Sequence, residues 1–221
     1  MKNSVLKKFI SIAAAVSAIL ALTACGSQRT ESDSQKEEAQ KEEQTAGADT
    51  VYRTLDEIKE DGTIHIGVFS DKNPFGYVDE NGEYQGYDVY FANKIGEDLG
   101  VKVDFVSTEA ANRIEYLQTG KVDIILANFT VTEERAEEVD FALPYMNVAL
   151  GVVSPDDKVV ESLDDWNSDD QIIVISGTTA ETYLTENYPD IPLQKFDSYA
   201  TAKEAFENGT GVAWANDNTE V

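Results

Sequence analysis

The segment "VDIILANFTVTEER", residues 122–135, holds side chains whose types and spacing could bind a carboxylate. Its first part, residues 122–126, is an apolar, β-branched run that predicts a buried strand. Asn128, Thr130 and Arg135 follow without a turn signal, and Arg135 is one of four arginines in the chain. A planar guanidinium can donate two charge-assisted hydrogen bonds to one carboxylate. Taken alone, however, the segment favours a surface ion pair with a glutamate two or three residues further on.

The elements that must position these residues are predicted to alternate along residues 51–221. The predicted strands are TIHIGVF, VKVDFV, residues 122–126, NVALGVVS, QIIVI, PLQKF and VAWAND, and the predicted helices are TLDEIKEDG, DVYFANKIGEDLG, ANRIEYLQTG, one that SLDDW begins, GTTAETYLTENY and SYATAKEAFENG. A hairpin with its turn at Asn81-Gly82 lies between the first strand and the second helix. Such alternation predicts an α/β fold with largely parallel sheets. It occurs before and after residues 147–154, which predicts two lobes.

In open α/β sheets, ligands bind beyond the carboxyl ends of the strands. Four segments follow predicted strands in this way, namely the residues after 126, "FSDKNPF", "ISGTT" and "ANDN". We therefore expect the binding residues to lie in these four segments.

The charge balance restricts the partners of the protein. The chain has 221 residues, 42 Asp and Glu against 17 Lys and Arg, and a formal net charge of −25. Phosphate binding needs a basic face, so we expect no nucleic-acid partner. An acidic surface of this kind resists association, and we expect a monomer.

The sequence offers little catalytic or metal-binding chemistry. The single histidine, His65, lies inside a predicted strand, and the single cysteine, Cys25, lies near the N-terminus. We see no Ser/His pair, phosphate-binding loop or metal-ligand spacing, so we expect no hydrolytic activity, metal or cofactor. Acid–base catalysis by carboxylates stays open as an alternative.

The N-terminus predicts export. Residues 1–25 combine three lysines with an apolar run, residues 9–22, that is too short for an ordinary spanning helix. The run ends in "LTAC", which resembles a bacterial lipoprotein signal with Cys25 lipidated by a palmitate-type anchor; the alternative is an ordinary secretory signal. Residues 26–50 lack aromatic and β-branched aliphatic residues and predict a disordered tether. We expect an exported protein that is lipid-anchored to the outer face of the cell membrane, or periplasmic.

Four segments carry a family resemblance in the same order: "PFGYVDENGEYQGYDVYFANKIGEDLG", "LQTGKVDIILANFTVTEERAEEVDFALPY", "ISGTTAETYL" and "ANDN". They resemble the periplasmic amino-acid-binding proteins of ABC importers. The resemblance implies a periplasmic-binding-protein-like, two-lobe (Venus flytrap) α/β fold that closes around an amino acid. Residues 51–147 would form lobe one and residues 148–221 lobe two. Because family members continue through a second crossover strand and C-terminal helices, we expect lobe one to be incomplete in this sequence.

The same resemblance implies roles for individual residues. Arg135 would clamp the α-carboxylate of the ligand, and Asp217 would receive its α-ammonium group. Amides and hydroxyls at a helix N-terminus favour an anion, so Thr178 and Thr179 would bind the ligand from lobe two, although capping of the helix by Thr178 is also expected. The other residues expected to line the ligand are Phe75, Ala127, Asn128, Phe129 and Thr130.

Two further cations bear on the ligand side chain. Lys72 lies where the family places a side-chain contact, and Arg113 matches an arginine of members that bind glutamate or aspartate. They favour an acidic ligand, glutamate or aspartate, with a polar amino acid such as glutamine or cystine as the alternative. The alternative for Arg113 is a surface ion pair with Glu109 or Glu115.

The resemblance thus predicts a protein that is not an enzyme, binds an amino acid and delivers it to the permease subunits of an ABC transporter. The alternatives are a dehydratase-like enzyme on the same fold and the sensor domain of a receptor.

Overall fold

The alternating pattern of the sequence is confirmed in a computed structural model that describes residues 52–166 and 169–220. The elements in chain order are α1 (Leu55–Asp61), β1 (Thr63–Val68), β2 (Asp71–Lys72), β3 (Gly76–Val78), β4 (Tyr84–Gln85), α2 (Tyr87–Leu99), β5 (Lys102–Ser107), a 3₁₀ turn (Ala110–Asn112), α3 (Arg113–Gln118), β6 (Ile124–Ile125), α4 (Glu133–Glu138), β7 (Leu150–Val153), β8 (Ile172–Ile175), α5 (Thr179–Asn187), β9 (Leu193–Phe196), α6 (Tyr199–Glu207) and β10 (Ala213–Asp217).

Lobe one is built on a parallel sheet with the strand order β5-β1-β6. Apolar side chains of the central strand β1 pack in one buried cluster with Ile58 of α1 and Val89 of α2. Ile66 and Val68 of this strand are fully buried. The helices begin and end as the sequence predicts: Thr54 and Glu57 form a reciprocal capping box at α1, and Gly100 ends α2 in the left-handed conformation at φ 71°. This apolar layer between the sheet and the helices holds β1 and β6 in place, and so determines where their carboxyl ends point.

Lobe two is built on a sheet with the order β7-β10-β8-β9. Strands β8, β9 and β10 run parallel, whereas β7 pairs with β10 in the antiparallel direction. All four residues of β8 are buried, as expected for a central strand covered on both faces. Helix α5 packs on one face, around Leu184, and α6 on the other, around Ala202.

A small antiparallel sheet, β2-β3-β4, lies between β1 and α2. Its predicted turn at Asn81-Gly82 is confirmed, with Gly82 at φ 83°. The Asp79 carboxylate accepts hydrogen bonds from the backbone N–H groups of Asn81 and Glu83, which stabilises the turn. Strand β2 ends at Lys72, so this sheet carries one of the candidate binding residues.

Two local predictions differ from the structure within the described residues: one strand is shorter than predicted and one helix does not begin where it was predicted. The strand predicted over 122–126 forms and pairs with β1, but it is regular only at Ile124–Ile125. Beside it, the Asp123 carboxylate accepts a hydrogen bond from the His65 N–H and also pairs with Arg53. "SLDDW" does not begin a helix. The Ser162 hydroxyl instead accepts a hydrogen bond from the Asp164 N–H, which stabilises a turn.

The N-terminal predictions lie outside the described residues. These are the signal at 1–25 with its lipidated Cys25, and the tether at 26–50. Within the residues that the structure describes, none of the helices combines the length and the apolar character that a membrane crossing requires.

The core of lobe two can be tested with two leucines that differ in burial. Leu184 is 2% exposed and Leu143 is 90% exposed. We expect Leu184→Ala to lower the free energy of unfolding by about 2–5 kcal/mol, because it removes buried methyl groups and leaves a cavity. The control Leu143→Ala should change it by less than about 0.5 kcal/mol. Urea unfolding followed by circular dichroism measures both; equal effects would contradict the burial of α5 against the sheet.

Candidate functional site

Segments that follow β1, β6, β8 and β10 meet at one place, between the two lobes. With the first residue of α3, which follows β5, they bring together three buried cations. These are Lys72, Arg113 and Arg135, which are 2%, 3% and 9% exposed. Asp217, the last residue of β10, is 6% exposed and belongs to the same group. Residues of the four segments that the sequence singled out therefore lie close together, and Arg113, which lies outside those segments, joins them.

The Lys72 ammonium group lies in a cage of carboxylates and aromatic rings. Its Nζ is 3.0 Å from a carboxylate oxygen of Glu220 and 3.7 Å from one of Asp217. The ring of Tyr199 lies 4.4 Å from Nζ, and those of Phe69 and Phe75 lie 5.2 Å and 5.4 Å away. Carboxylates and aromatic faces are the groups that recognise an organic ammonium ion. The cage is thus suited to hold an amino group.

Burial dominates the protonation of this cage. It lowers the pKa of Lys72, although Glu220 and Asp217 act in the opposite direction. Burial also raises the pKa of Glu220 to about 7, a shift that the neighbouring ammonium of Lys72 reduces. Both effects have the same cause, which is that a charge loses its hydration when it is buried. The charge of Glu220 is therefore sensitive to pH near neutrality.

Asn128 joins the cage to lobe one. Its side-chain oxygen accepts a hydrogen bond from Lys72 Nζ at 2.5 Å. Its backbone has φ 44°, the one positive φ among the described non-glycine residues, and asparagine tolerates this conformation better than most residues do. The N–H of Asn128 donates to the carboxylate of Asp88 at 3.0 Å. The backbone N–H, the carbonyl and the side-chain oxygen of Asn128 therefore all hold other site groups.

Arg113 is buried rather than paired at the surface with Glu109 or Glu115. Its guanidinium donates to the carbonyls of Ala110, Ala127 and Asn128 in lobe one, at 2.8–3.2 Å. It also donates to the carbonyl of Gly177 in lobe two, at 2.9 Å. Burial, and then repulsion from Arg135, lower the pKa of Arg113 to about 10, so the group stays charged at neutral pH.

Arg135 meets Arg113 at one carbonyl oxygen. Its guanidinium donates to Thr130 O at 2.7 Å and to Gly177 O at 3.0 Å. Burial lowers the pKa of Arg135, which Glu134 partly offsets. Within residues 52–166 and 169–220, no carboxylate lies within 4 Å of either guanidinium. Two cations thus converge on a neutral oxygen, which is an arrangement that favours an anion.

The ring of Phe129 packs against both guanidinium groups. The central carbon of Arg113 lies 4.5 Å from its ring centroid and that of Arg135 lies 4.8 Å away. The ring itself packs against Phe141. Cations on an aromatic face are stabilised by the quadrupole of the ring, so Phe129 stabilises the charge of both arginines.

The lobe-two turn approaches lobe one closely. Gly177 has φ 76°, and a Cβ atom there would lie 2.5 Å from the Cα of Ala111. Thr178 caps α5: its hydroxyl accepts from the Glu181 N–H and donates to Ile175 O. Thr179 is the first residue of α5 and is half-buried. Helix capping by Thr178 is confirmed, and a ligand contact from either threonine stays a prediction.

Three residues of the site were not singled out in the sequence. Glu220 lies three residues after Asp217, and this spacing is the signal in the sequence that could have identified Glu220 as a site residue. Asp88 and Tyr199 each lie in the first turn of a predicted helix, where polar and aromatic residues have ordinary structural roles. Among the described residues, no three His, Cys, Asp or Glu side chains are grouped so that they could hold a metal ion.

The chain is similar in sequence and fold to known proteins. Residues 64–210 match the family described as bacterial extracellular solute-binding proteins, family 3. The ABC transporter glutamine-binding protein GlnH of Bacillus subtilis is 29% identical over 218 residues, which cover 96% of this chain and 76% of that protein.

Two crystal structures are more similar in sequence. The solute receptor for L-cysteine of Neisseria gonorrhoeae is 54% identical, with a TM-score of 0.73 over 75% of this chain and 68% of that one. The cysteine-binding protein of Campylobacter jejuni is 51% identical, with a TM-score of 0.72 over 75% and 67%. The resemblance seen in the sequence and the two-lobe α/β fold are thereby confirmed, and the chain belongs to family 3 of the bacterial extracellular solute-binding proteins.

Proposed function

We propose that the site binds a free amino acid, which the protein delivers to the permease subunits of an ABC importer without altering it chemically. One observation carries the proposal: two buried guanidinium groups without a carboxylate partner among the described residues share a site with an aromatic, carboxylate-lined cage for an ammonium ion. An amino acid carries both complementary charges on one carbon.

The guanidinium groups would take the α-carboxylate. Arg135 is the better candidate of the two, because it lies at the more exposed end and makes only two hydrogen bonds to carbonyls. Arg113 makes four, three of them to its own lobe, so its main role would be to fix the loop that begins at Ala127. A ligand carboxylate that took the place of the Gly177 carbonyl between Arg113 and Arg135 would accept a charge-assisted hydrogen bond from each of them.

The cage would take the α-ammonium group. Asp217 matches the family acid for this role, and Glu220 adds a second carboxylate beside it. When Glu220 is ionised, the two carboxylates facing the single ammonium of Lys72 leave one negative charge, which a second ammonium would neutralise. Lys72 and the ligand would then share the two acids.

The balance of buried charge bears on the ligand side chain. The site contains Lys72, Arg113 and Arg135 on the positive side, and Asp88, Asp217 and Glu220 on the negative side. A zwitterion with an uncharged side chain adds no net charge, whereas glutamate or aspartate adds an unpaired negative charge. Burying an unpaired charge is costly. The cations that suggested an acidic ligand, Lys72 and Arg113, are also engaged within the protein.

We therefore propose L-cysteine, or an uncharged amino acid of similar size, as the ligand. The two structures that are 54% and 51% identical support this choice, because one is a solute receptor for L-cysteine and the other is a cysteine-binding protein. Glutamate or aspartate, predicted from the sequence, is the second candidate. Glutamine and cystine follow from more distant relatives.

Transport would use the closing of the two lobes around the ligand. The shared Gly177 carbonyl and the close approach to Ala111 belong to such a closed arrangement. The closed form would be presented to the permease as a monomer held at the membrane by the lipid at Cys25.

Arg135→Ala tests the carboxylate site. We expect a loss of about 2–5 kcal/mol of binding free energy, or roughly 30-fold to several-thousand-fold in affinity, since a buried carboxylate loses its partner. Calorimetry measures the change. Arg135→Lys keeps the charge without the planar fork and should retain part of the affinity, and the surface variant Lys203→Ala is the neutral control. An unchanged affinity in Arg135→Ala would contradict the assignment.

A ligand panel tests the side-chain preference. We expect L-cysteine to raise the melting temperature more than aspartate, glutamate, glutamine or cystine, each at equal concentration, because binding to the native state stabilises it by mass action. Differential scanning fluorimetry under a reductant, which keeps cysteine reduced, measures the shift, with cystine tested separately without it. A larger shift with glutamate or aspartate would favour an acidic ligand over L-cysteine. No shift with any of the twenty amino acids would contradict the proposed function.

The pH dependence of binding tests the role of Glu220. Because the pKa of this carboxyl is raised to about 7, it is mostly ionised at pH 8 and mostly protonated at pH 6. An ionised Glu220 attracts the ligand ammonium and a protonated one does not, so affinity should fall as the pH falls through 7. Calorimetry at both values should show this fall in the wild type and a smaller one in Glu220→Gln. The same slope in both proteins would exclude Glu220 as its source.

A further inference from the structure

Asp88 is a buried carboxylate that the proposed ligand contacts do not use. It is the second residue of α2 and is 0% exposed. Burial raises its pKa, which hydrogen bonds from Tyr145 and Asn128 partly offset. Among the described residues, no Lys, Arg or His nitrogen lies within 4 Å of it. A buried carboxylate held by two neutral donors costs stability compared with an apolar residue, which points to a role other than stability.

The first donor to Asp88 is the backbone of Asn128. The N–H of Asn128 lies 3.0 Å from Asp88 Oδ2, at the residue that turns the chain with φ 44°. From the same residue, the carbonyl accepts from Arg113 at 3.2 Å and the side-chain oxygen accepts from Lys72 at 2.5 Å. Asp88 therefore holds the residue on which two of the three site cations depend for their positions.

The second donor is the hydroxyl of Tyr145, which lies 2.8 Å from Asp88 Oδ1. Tyr145 lies on the connection between α4 and β7, through which the chain passes from lobe one to lobe two. Its ring packs against Tyr87 and Phe91 of α2, with centroids 6.0 Å and 5.2 Å away. The connection then enters β7, which pairs with β10. A rotation of the lobes would act on this anchored segment.

We propose that Asp88 is a positioning residue of the binding site, and that its hydrogen bond from Tyr145 couples the connection between the lobes to Asn128, Lys72 and Arg113. The inference rests on the proposed function. In the closed arrangement the bond is made, Asn128 is held in its turn, and both cations are in place. When the connection moves, Asp88 loses its second donor and Asn128 is less restrained.

Tyr145→Phe, Asp88→Asn and the double variant test this coupling. Tyr145→Phe removes one hydrogen bond and keeps the ring, and should weaken amino-acid affinity by about twofold to tenfold. Asp88→Asn should weaken it by more than about tenfold, because an amide cannot accept as strongly from both donors. The double variant should be no weaker than Asp88→Asn alone, since the hydroxyl acts through the carboxylate. Affinities are measured by calorimetry with L-cysteine and with any better ligand from the panel.

Tyr90→Phe is the matched control. Tyr90 lies on α2, the helix that also carries Asp88, and its side chain is 59% exposed. The variant removes a tyrosine hydroxyl, as Tyr145→Phe does, and should leave the affinity unchanged. If Tyr145→Phe and Asp88→Asn lower the melting temperature but keep wild-type affinity well below it, their role is structural and the inference is overturned. Additive losses in the double variant would overturn the coupling between them.

A second readout does not need a ligand. Hydrogen exchange of the Asn128 amide, followed by NMR, should be faster in Tyr145→Phe and fastest in Asp88→Asn, with no change in Tyr90→Phe. If the wild type binds no amino acid, the proposed function fails, and this exchange experiment alone decides whether Asp88 positions Asn128. Unchanged exchange in both variants would overturn the inference even if binding is found.

Discussion

The structure depends on the burial of charge between two lobes. Three cations and three carboxylates are removed from water within one site, and each would be unstable there alone. The protein solves this by using backbone carbonyls for the guanidinium groups and aromatic faces with carboxylates for the ammonium. Because the carbonyls come from strand ends of both lobes, the electrostatics of the site depend on the sheets that aim those ends at each other.

An apolar cluster next to the site, which includes the Phe69 and Tyr199 rings that contact Lys72, supports this arrangement. It combines Phe69, Ala110 and Ala127 from lobe one with Ile173, Tyr199 and Trp214 from lobe two. The rings of Phe69 and Tyr199 meet edge to face, 5.2 Å apart. Exclusion of water from this cluster lowers the local dielectric constant, which strengthens the hydrogen bonds of the charged groups next to it. Phe69 and Tyr199 thus both pack in this cluster and contact the Lys72 ammonium group.

The sequence predicted those features whose signal lies within a short segment. The caps of α1 and α2, the hairpin turn, the placement of Arg135 after β6 and that of Asp217 at the end of β10 follow from patterns within about a dozen residues, and the two-lobe alternation follows from the repetition of such patterns along the chain. Lys72 was expected to face the ligand, but its contacts with Asn128, Tyr199 and Glu220 join residues far apart in the chain. Such contacts are set by tertiary packing, and for the same reason the buried state of Arg113 and the role of Asp88 could not be derived from the sequence.

Trp214 lies on β10, three residues before Asp217, and is 8% exposed. Its indole packs near Phe206, and its cluster includes Tyr199, whose ring covers the Lys72 ammonium. Indole emission responds to nearby charge and to the polarity of its surroundings. The strand that presents the acid therefore also carries a natural fluorophore, and events in the cleft can be followed optically without attaching a dye.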